Sequence, residues 1–155
     1  MKKAIFFILT MIITAGCGPI NLYEKQAVIP AQEWFYDYDP QFKFTISDTV
    51  SPYQVYLVLR HTDRYQYKNI WLQLGTQAPG DTMTFQKINL VLGNDKTGWE
   101  GTGMDDIFEV RKNISPGPLS FKKAGEYTFS VAQIMRQNPL HNVMNVGLRI
   151  EKVAP

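Results

Sequence analysis

Apolar and polar residues alternate with a period of two along much of this chain. Phe42, Phe44 and Ile46 are interleaved with Lys43, Thr45 and Ser47, the mark of a strand with one buried face. Val55, Leu57 and Leu59 alternate with Tyr56, Val58 and Arg60, so both faces are largely apolar and a central strand is predicted. Further strands are expected around Ile70, Leu72 and Leu74, around Ile88, Leu90 and Leu92, around Tyr127, Phe129 and Val131, and from Met144 through Val146 and Leu148 to Ile150. Turn-forming residues separate these runs, at Asp48 to Pro52, Ala78 to Asp81, Gly93 to Asp95, Ser115 to Pro118 and Ala124-Gly125. Several short strands punctuated in this way predict an all-β fold, an antiparallel β-sandwich whose strand order the pattern leaves open. Short helical turns are expected at Met104 to Arg111 and at Gln133 to Asn138.

The beginning of the chain follows a different rule. Lys2 and Lys3 precede an uncharged apolar run from Ala4 to Thr14, and small residues follow at Ala15 and Gly16. That order is a secretory signal, and the run is shorter than the roughly 20 residues a membrane-spanning helix needs. Thr14-Ala15-Gly16-Cys17 resembles the lipobox of bacterial lipoproteins, with Thr14 where an aliphatic residue is usual. Cys17 is the chain's one cysteine. An exported protein with a single thiol calls for an explanation, and acylation, palmitate being the usual chain, supplies one. Two or three acyl chains hold a protein at a bilayer far more persistently than one. The expected organisation is a signal peptide over residues 1–16, a lipidated tether over 17–30 and a β-sandwich domain over 31–155.

Cleavage also changes the charge. The chain has 16 Lys and Arg against 14 Asp and Glu, and Lys2 and Lys3 leave with the signal, so the mature protein is balanced. With no basic stripe, nucleic-acid binding lacks its electrostatic footprint.

Candidate chemistry is sparse. His61 and Asp63 share a strand face at i and i+2 but fall short of the three or four ligands zinc requires, so a surface strand end is expected there. Asp105, Asp106 and Glu109 form the densest acidic group; their spacing is not that of an EF-hand, and Asp105 is equally suited to capping a short helix. No metal site and no cofactor are expected. The glycines of Gly98-Trp99-Glu100-Gly101-Thr102-Gly103 lack a Walker lysine and are better suited to a loop or bulge with unusual dihedrals. No serine sits in a Gly-x-Ser-x-Gly elbow, and no catalytic residue is assigned. Aromatics gather at Trp34 to Tyr38 and at Tyr65, Tyr67 and Trp71. Tyr65, Tyr67, Trp71 and Trp99 are the candidates for contact with a partner or a glycan, since Tyr and Trp are enriched at hot spots. Asn113-Ile114-Ser115 matches the Asn glycosylation sequon, which the bacterial signal makes accidental. Asp48-Thr49-Val50 and Asp81-Thr82-Met83 look like the Asp-Thr-hydrophobic tripeptide of bacterial O-glycosylation.

Four stretches carry a family resemblance: Leu57 to Thr62 leading into Tyr65-Gln66-Tyr67-Lys68-Asn69-Ile70-Trp71-Leu72; Gly101-Thr102-Gly103-Met104-Asp105-Asp106-Ile107-Phe108-Glu109; Gly125-Glu126-Tyr127-Thr128-Phe129 running on to Gln133-Ile134-Met135-Arg136 and Pro139-Leu140; and Val146-Gly147-Leu148-Arg149-Ile150-Glu151. In their order and spacing behind a lipobox, they resemble the GldH family of gliding-motility lipoproteins over essentially the full length. The resemblance implies a structural or accessory component of the cell-envelope machinery for gliding and its associated secretion, with other envelope proteins as partners. It lends no catalytic residue and transfers only Cys17 as a functional position. Gly18, Pro19, Ile20 and Asn21 show no acidic cluster of the surface-export kind, so the outer membrane, facing the periplasm, is the expected location. The alternative is a glycan-binding module of the periplasm or surface.

Overall fold

A computed structural model describes residues 20–153, with side chains from Tyr23 onward. The signal peptide and Cys17 lie outside the described residues. The strands, in chain order, are β1 (Ile20–Val28), β2 (Glu33–Trp34), β3 (Gln41–Ile46), β4 (Tyr53–Thr62), β5 (Asn69–Gln77), β6 (Thr84–Val91), β7 (Gly93–Asn94), β8 (Gly98–Trp99), β9 (Thr102–Met104), β10 (Ile107–Asn113), β11 (Gly125–Gln133), β12 (Leu140–His141) and β13 (Val143–Lys152). They form a five-stranded sheet in the order β1-β13-β4-β10-β9 and a four-stranded sheet in the order β3-β11-β5-β6, with two small ribbons, β12-β2 and β7-β8. All pairings are antiparallel. The fold is the expected β-sandwich.

The period-two alternation explains the packing, because successive side chains of a strand point to opposite faces. β3 alternates strictly between exposed and buried positions, with Phe42, Phe44 and Ile46 inside. β4 lies at the centre of the five-stranded sheet, and Tyr53, Val55, Leu57 and Leu59 enter the core. From the opposite sheet come Ile70, Leu72 and Leu74 of β5 and Tyr127, Phe129 and Val131 of β11; Val146, Leu148 and Ile150 of β13 complete the interior. An aromatic seam closes one end: Phe44 lies 5.7 Å from Phe121 and from Tyr127, and Phe121 meets Tyr127 edge-on at 4.8 Å. Such offset and edge contacts suit the ring quadrupole.

The sequence expectations need three corrections. Residues 20–28, expected to belong to a tether, form β1, paired with β13 from Ile20↔Lys152 to Val28↔Asn145. The folded domain therefore begins at residue 20, well before residue 31. Met104 to Arg111 is no helical turn but the tip and second strand of a β-hairpin: Ile107 pairs with Met104, and Asp105 makes the turn at φ 53°. Asp105 therefore caps no helix. Gln133 to Asn138 ends β11 and continues as a bend rather than a helix. Among the described residues the single helical element is a 3-10 turn, Pro30–Gln32.

A cluster of rings around His61 and an apolar sheet face

The inward phase of β4 runs Tyr53, Val55, Leu57, Leu59 and then His61, so the last core position of the strand is a histidine. His61 is 1% exposed. The expected surface strand end is thus a buried one, and of the pair His61 and Asp63 it is Asp63 that is exposed. Three segments enclose the imidazole. Phe108 stands opposite it on β10. The loop after β4 brings back Tyr65, whose hydroxyl donates to the Asn69 carbonyl at 3.1 Å. The β7-β8 ribbon is held by the Leu92 and Gly93 N–H groups, which donate to Lys68 O at 2.8 and 3.1 Å, and it delivers Trp99. Ring centroids lie 4.6 Å (Trp99), 5.5 Å (Tyr65) and 5.9 Å (Phe108) from that of His61. Tyr67 packs edge-on against Tyr65 at 5.8 Å, and Lys68 Nζ sits 4.1 Å over the Trp99 ring.

This enclosure sets the state of the histidine. Its Nδ1 lies 2.9 Å from the Thr62 carbonyl oxygen, a contact that needs a proton on Nδ1 and leaves Nε2 as an acceptor. Nε2 is buried without a polar partner among the described residues. Burial pushes the His61 pKa below its ordinary value, and the nearby Lys68 charge adds to this, against the hydrogen bond to Thr62. Burial likewise raises the Tyr65 phenol, with Tyr67 contributing. The cluster is a hydrophobic plug holding a neutral histidine.

Three of the four sequence candidates, Tyr65, Tyr67 and Trp99, therefore come together, but as packing. Tyr65 is 3% exposed and has little surface to offer a partner. The fourth, Trp71, stands elsewhere, on the outer face of the four-stranded sheet at 44% exposure. Trp71 and Trp99 thus form no common platform. The same outer face carries two apolar residues that the sequence pattern did not single out, Val91 beside Trp71 and Phe85 four residues along, beyond Lys87 and Asn89. Val91 pairs with Asn69, one step diagonal from Trp71, and Phe85 pairs with Gly75. They are 47% and 62% exposed. Gly75 makes room there: a Cβ would run into Ser130 Oγ and come within 3.0 Å of Met83 Sδ and the Phe85 ring. A concavity of about 420 Å³ lined by Tyr36, Gln73, Gln133, Ile134 and Met135 opens on the same face.

The outer face of the five-stranded sheet has the opposite character. Arg60 pairs with Glu109 at 2.7 Å, Glu109 with Arg111 at 3.6 Å and Arg111 with Glu24 at 4.0 Å; Arg149 binds both Glu24 and Glu151. Glu109 is thereby engaged by Arg60 and Arg111. Among the described residues no group of three or more His, Cys, Asp or Glu could hold a metal ion. The glycines after Trp99 serve the backbone: Gly101 has φ +90°, and a Cβ there would strike the Glu109 carbonyl.

Residues 21–150 match the family model described as GldH lipoprotein. The "gliding motility lipoprotein GldH homolog" of Christiangramia forsetii is 26% identical, the match covering 94% of this chain and 93% of the relative. The "gliding motility lipoprotein GldH" of Flavobacterium johnsoniae is 21% identical, with 98% of each chain covered. With nearly the whole sandwich inside the matched region, from residue 21 in β1 to residue 150 in β13, the chain belongs to the GldH lipoprotein family.

Proposed function

We propose that this protein is a non-enzymatic, lipid-anchored component of the gliding-motility apparatus and its associated secretion machinery. Cys17 carries the acyl chains, in the outer membrane facing the periplasm, and a partner protein of the envelope binds the outer face of the four-stranded sheet. The observation that carries the reading is the contrast between the two sheet faces of a family member. One face is covered by an ion-pair ladder, whereas the other presents Trp71, Phe85 and Val91 to solvent. Apolar residues that adjoin on an exposed face, as Trp71 and Val91 do, mark an interaction site better than scattered ones. Anchoring raises the effective concentration of such a site, so a modest contact suffices. His61, the histidine held in the ring cluster, is enclosed by aromatic rings rather than facing a cleft, which fits a role without catalysis.

The test replaces the chromosomal gene with Cys17→Ala and, separately, with a Trp71→Ser, Phe85→Ser double variant. The expected results are loss of palmitate labelling and of colony spreading for the first. For the second, the protein remains labelled and folded but no longer recovers envelope partners in mild detergent. Spreading and labelling at wild-type levels in Cys17→Ala would overturn the anchor, and unchanged partner recovery by the double variant would overturn the face.

A further inference from the structure

The register of the sheets shows which end of the sandwich the anchor must reach. Ile20 opens β1 three positions after Cys17. A trans chain advances at most about 3.6 Å per residue, so the two Cα atoms lie within roughly 11 Å of each other. Ile20 pairs with Lys152, Lys152 with Tyr53 and Tyr53 with Leu119. The Val153 N–H donates to Pro52 O at 2.9 Å, and Ser120 Oγ donates to Val50 O at 3.4 Å. β3 ends at Ile46 opposite Gly125, the first residue of β11. Lys123 reaches Asp81 Oδ1 at 2.6 Å. Loops 47–52, 78–83 and 114–124 therefore share the end at which β1 begins. β4 has 10 residues and rises about 3.3 Å per residue. The far end, with His61 and the Asp105-Asp106 turn, is thus about 30 Å away.

The two ends differ chemically. At the β1 end Asp48 is matched by Lys152 at 2.6 Å and Asp81 by Lys123, while Lys122 is exposed. Val50, at 87% exposure, is the most exposed of the large hydrophobic residues there. A cleft of about 440 Å³ lined by Ile114, Leu119, Phe121 and Phe129 opens between the sheets at the same end. At the far end Asp63, Asp95, Asp105 and Asp106 are exposed beside Arg64, Lys68 and Lys96, four carboxylates against three cations, with the Asp105-Asp106 pair at the tip. An anionic headgroup surface attracts lysines close to it and repels such carboxylates.

We propose that the β1 end rests on the phospholipid surface, with Val50 and Lys122 at headgroup level, so that the strands stand up from the membrane and the Asp105-Asp106 turn points away. This rests on the acylation of Cys17 proposed above. With two residues between Cys17 and β1, the domain has little freedom to turn its other end down, and the Trp71 face stays vertical and open to a neighbour. The test uses the full-length lipoprotein, acylated by its host and reconstituted in phosphatidylethanolamine and phosphatidylglycerol vesicles. Single cysteines at Val50, Lys122, Gln26 and Met104 (Val50→Cys, Lys122→Cys, Gln26→Cys and Met104→Cys) carry a thiol-reactive fluorophore. Lipids bearing a headgroup nitroxide should quench the labels at Val50 and Lys122 several-fold more than that at Met104, and aqueous iodide should reverse the order. Quenching as strong at Met104 as at Val50 would overturn the orientation; so would quenching strongest at Gln26, which marks a domain lying on its β1 edge. The unsubstituted protein separates the two claims. If it floats with the vesicles and takes no label, Cys17 is acylated and only the orientation is at stake. If its thiol labels and it stays off the vesicles, the anchor fails and the orientation with it.

Discussion

Replacing Trp99 by Ala removes the side chain that closes the ring cluster over His61. Complete burial makes a Trp→Ala change cost about 3–5 kcal/mol. Trp99 is half-buried, which brings the expectation to about 2–3 kcal/mol. That figure includes the edge-on contact with His61 at 4.6 Å and the Lys68 ammonium 4.1 Å above the ring, contacts of about 0.5–1.5 and 0.5–1 kcal/mol respectively. For a domain of this size the loss corresponds to a fall in Tm of roughly 10 °C, readable by circular dichroism of the detergent-solubilised protein. The same change admits water to Nε2 of His61. Burial is the main cause of its lowered pKa, so the His61 titration, followed by NMR through the imidazole Cε1–H signals of the two histidines, should move back up towards the ordinary range. A stability loss below about 0.5 kcal/mol together with an unchanged His61 titration would refute the assignment of Trp99 as part of the plug and would return it to the surface as a binding residue.

Other outcomes follow from the same structure. Folding lowers the proton affinity of His61, so below its ordinary pKa of about 6.5 the unfolded chain binds more protons than the native one. Its contribution to stability is intact above that pH and shrinks as pH falls from about 6.5 towards the lower native value; His61→Phe should flatten this part of a pH-stability curve, and an unchanged slope would point to other groups. Leu72, 0% exposed in the core, should lose about 2–5 kcal/mol on replacement by Ala, measured as a lower denaturation midpoint with an unchanged slope. Trp71→Ala, at an exposed position, should alter stability by no more than about 0.5 kcal/mol while reducing partner recovery in pull-downs; full recovery would count against the sheet face.

Most of the sandwich was legible because its central strands alternate cleanly. β3, β4, β5, β11 and β13 each have one apolar face, and the apolar Val58 on the second face of β4 marked it as central. β1 was hidden because it is an edge strand. Of its described side chains only Tyr23 and Ala27 pack against the core, and Glu24, Lys25 and Gln26 between them read as a polar tether. β10 was hidden by spacing: Met104, Ile107, Phe108 and Arg111 mimic a helical repeat, whereas the inward residues of the strand are Phe108 and Val110. The ring cluster was half legible. His61 continues the phase of Leu57 and Leu59, a signal that marks it as buried, but pairing alone brings Phe108 opposite it and a ribbon brings Trp99. Phe85 and Val91 went unseen because they fall out of phase with Ile88, Leu90 and Leu92, and only the β5-β6 register shows that they share the outer face with Trp71, Val91 beside it and Phe85 four residues along.

The central claim is that this sandwich begins a few residues from a lipid on Cys17. Mass spectrometry of the N-terminal peptide of the protein, purified from its native envelope, tests it most directly. The expected peptide starts at Cys17 and carries acyl chains on the sulfur and on the amino group. A peptide that starts elsewhere, or one that bears a free Cys17 thiol, would contradict it.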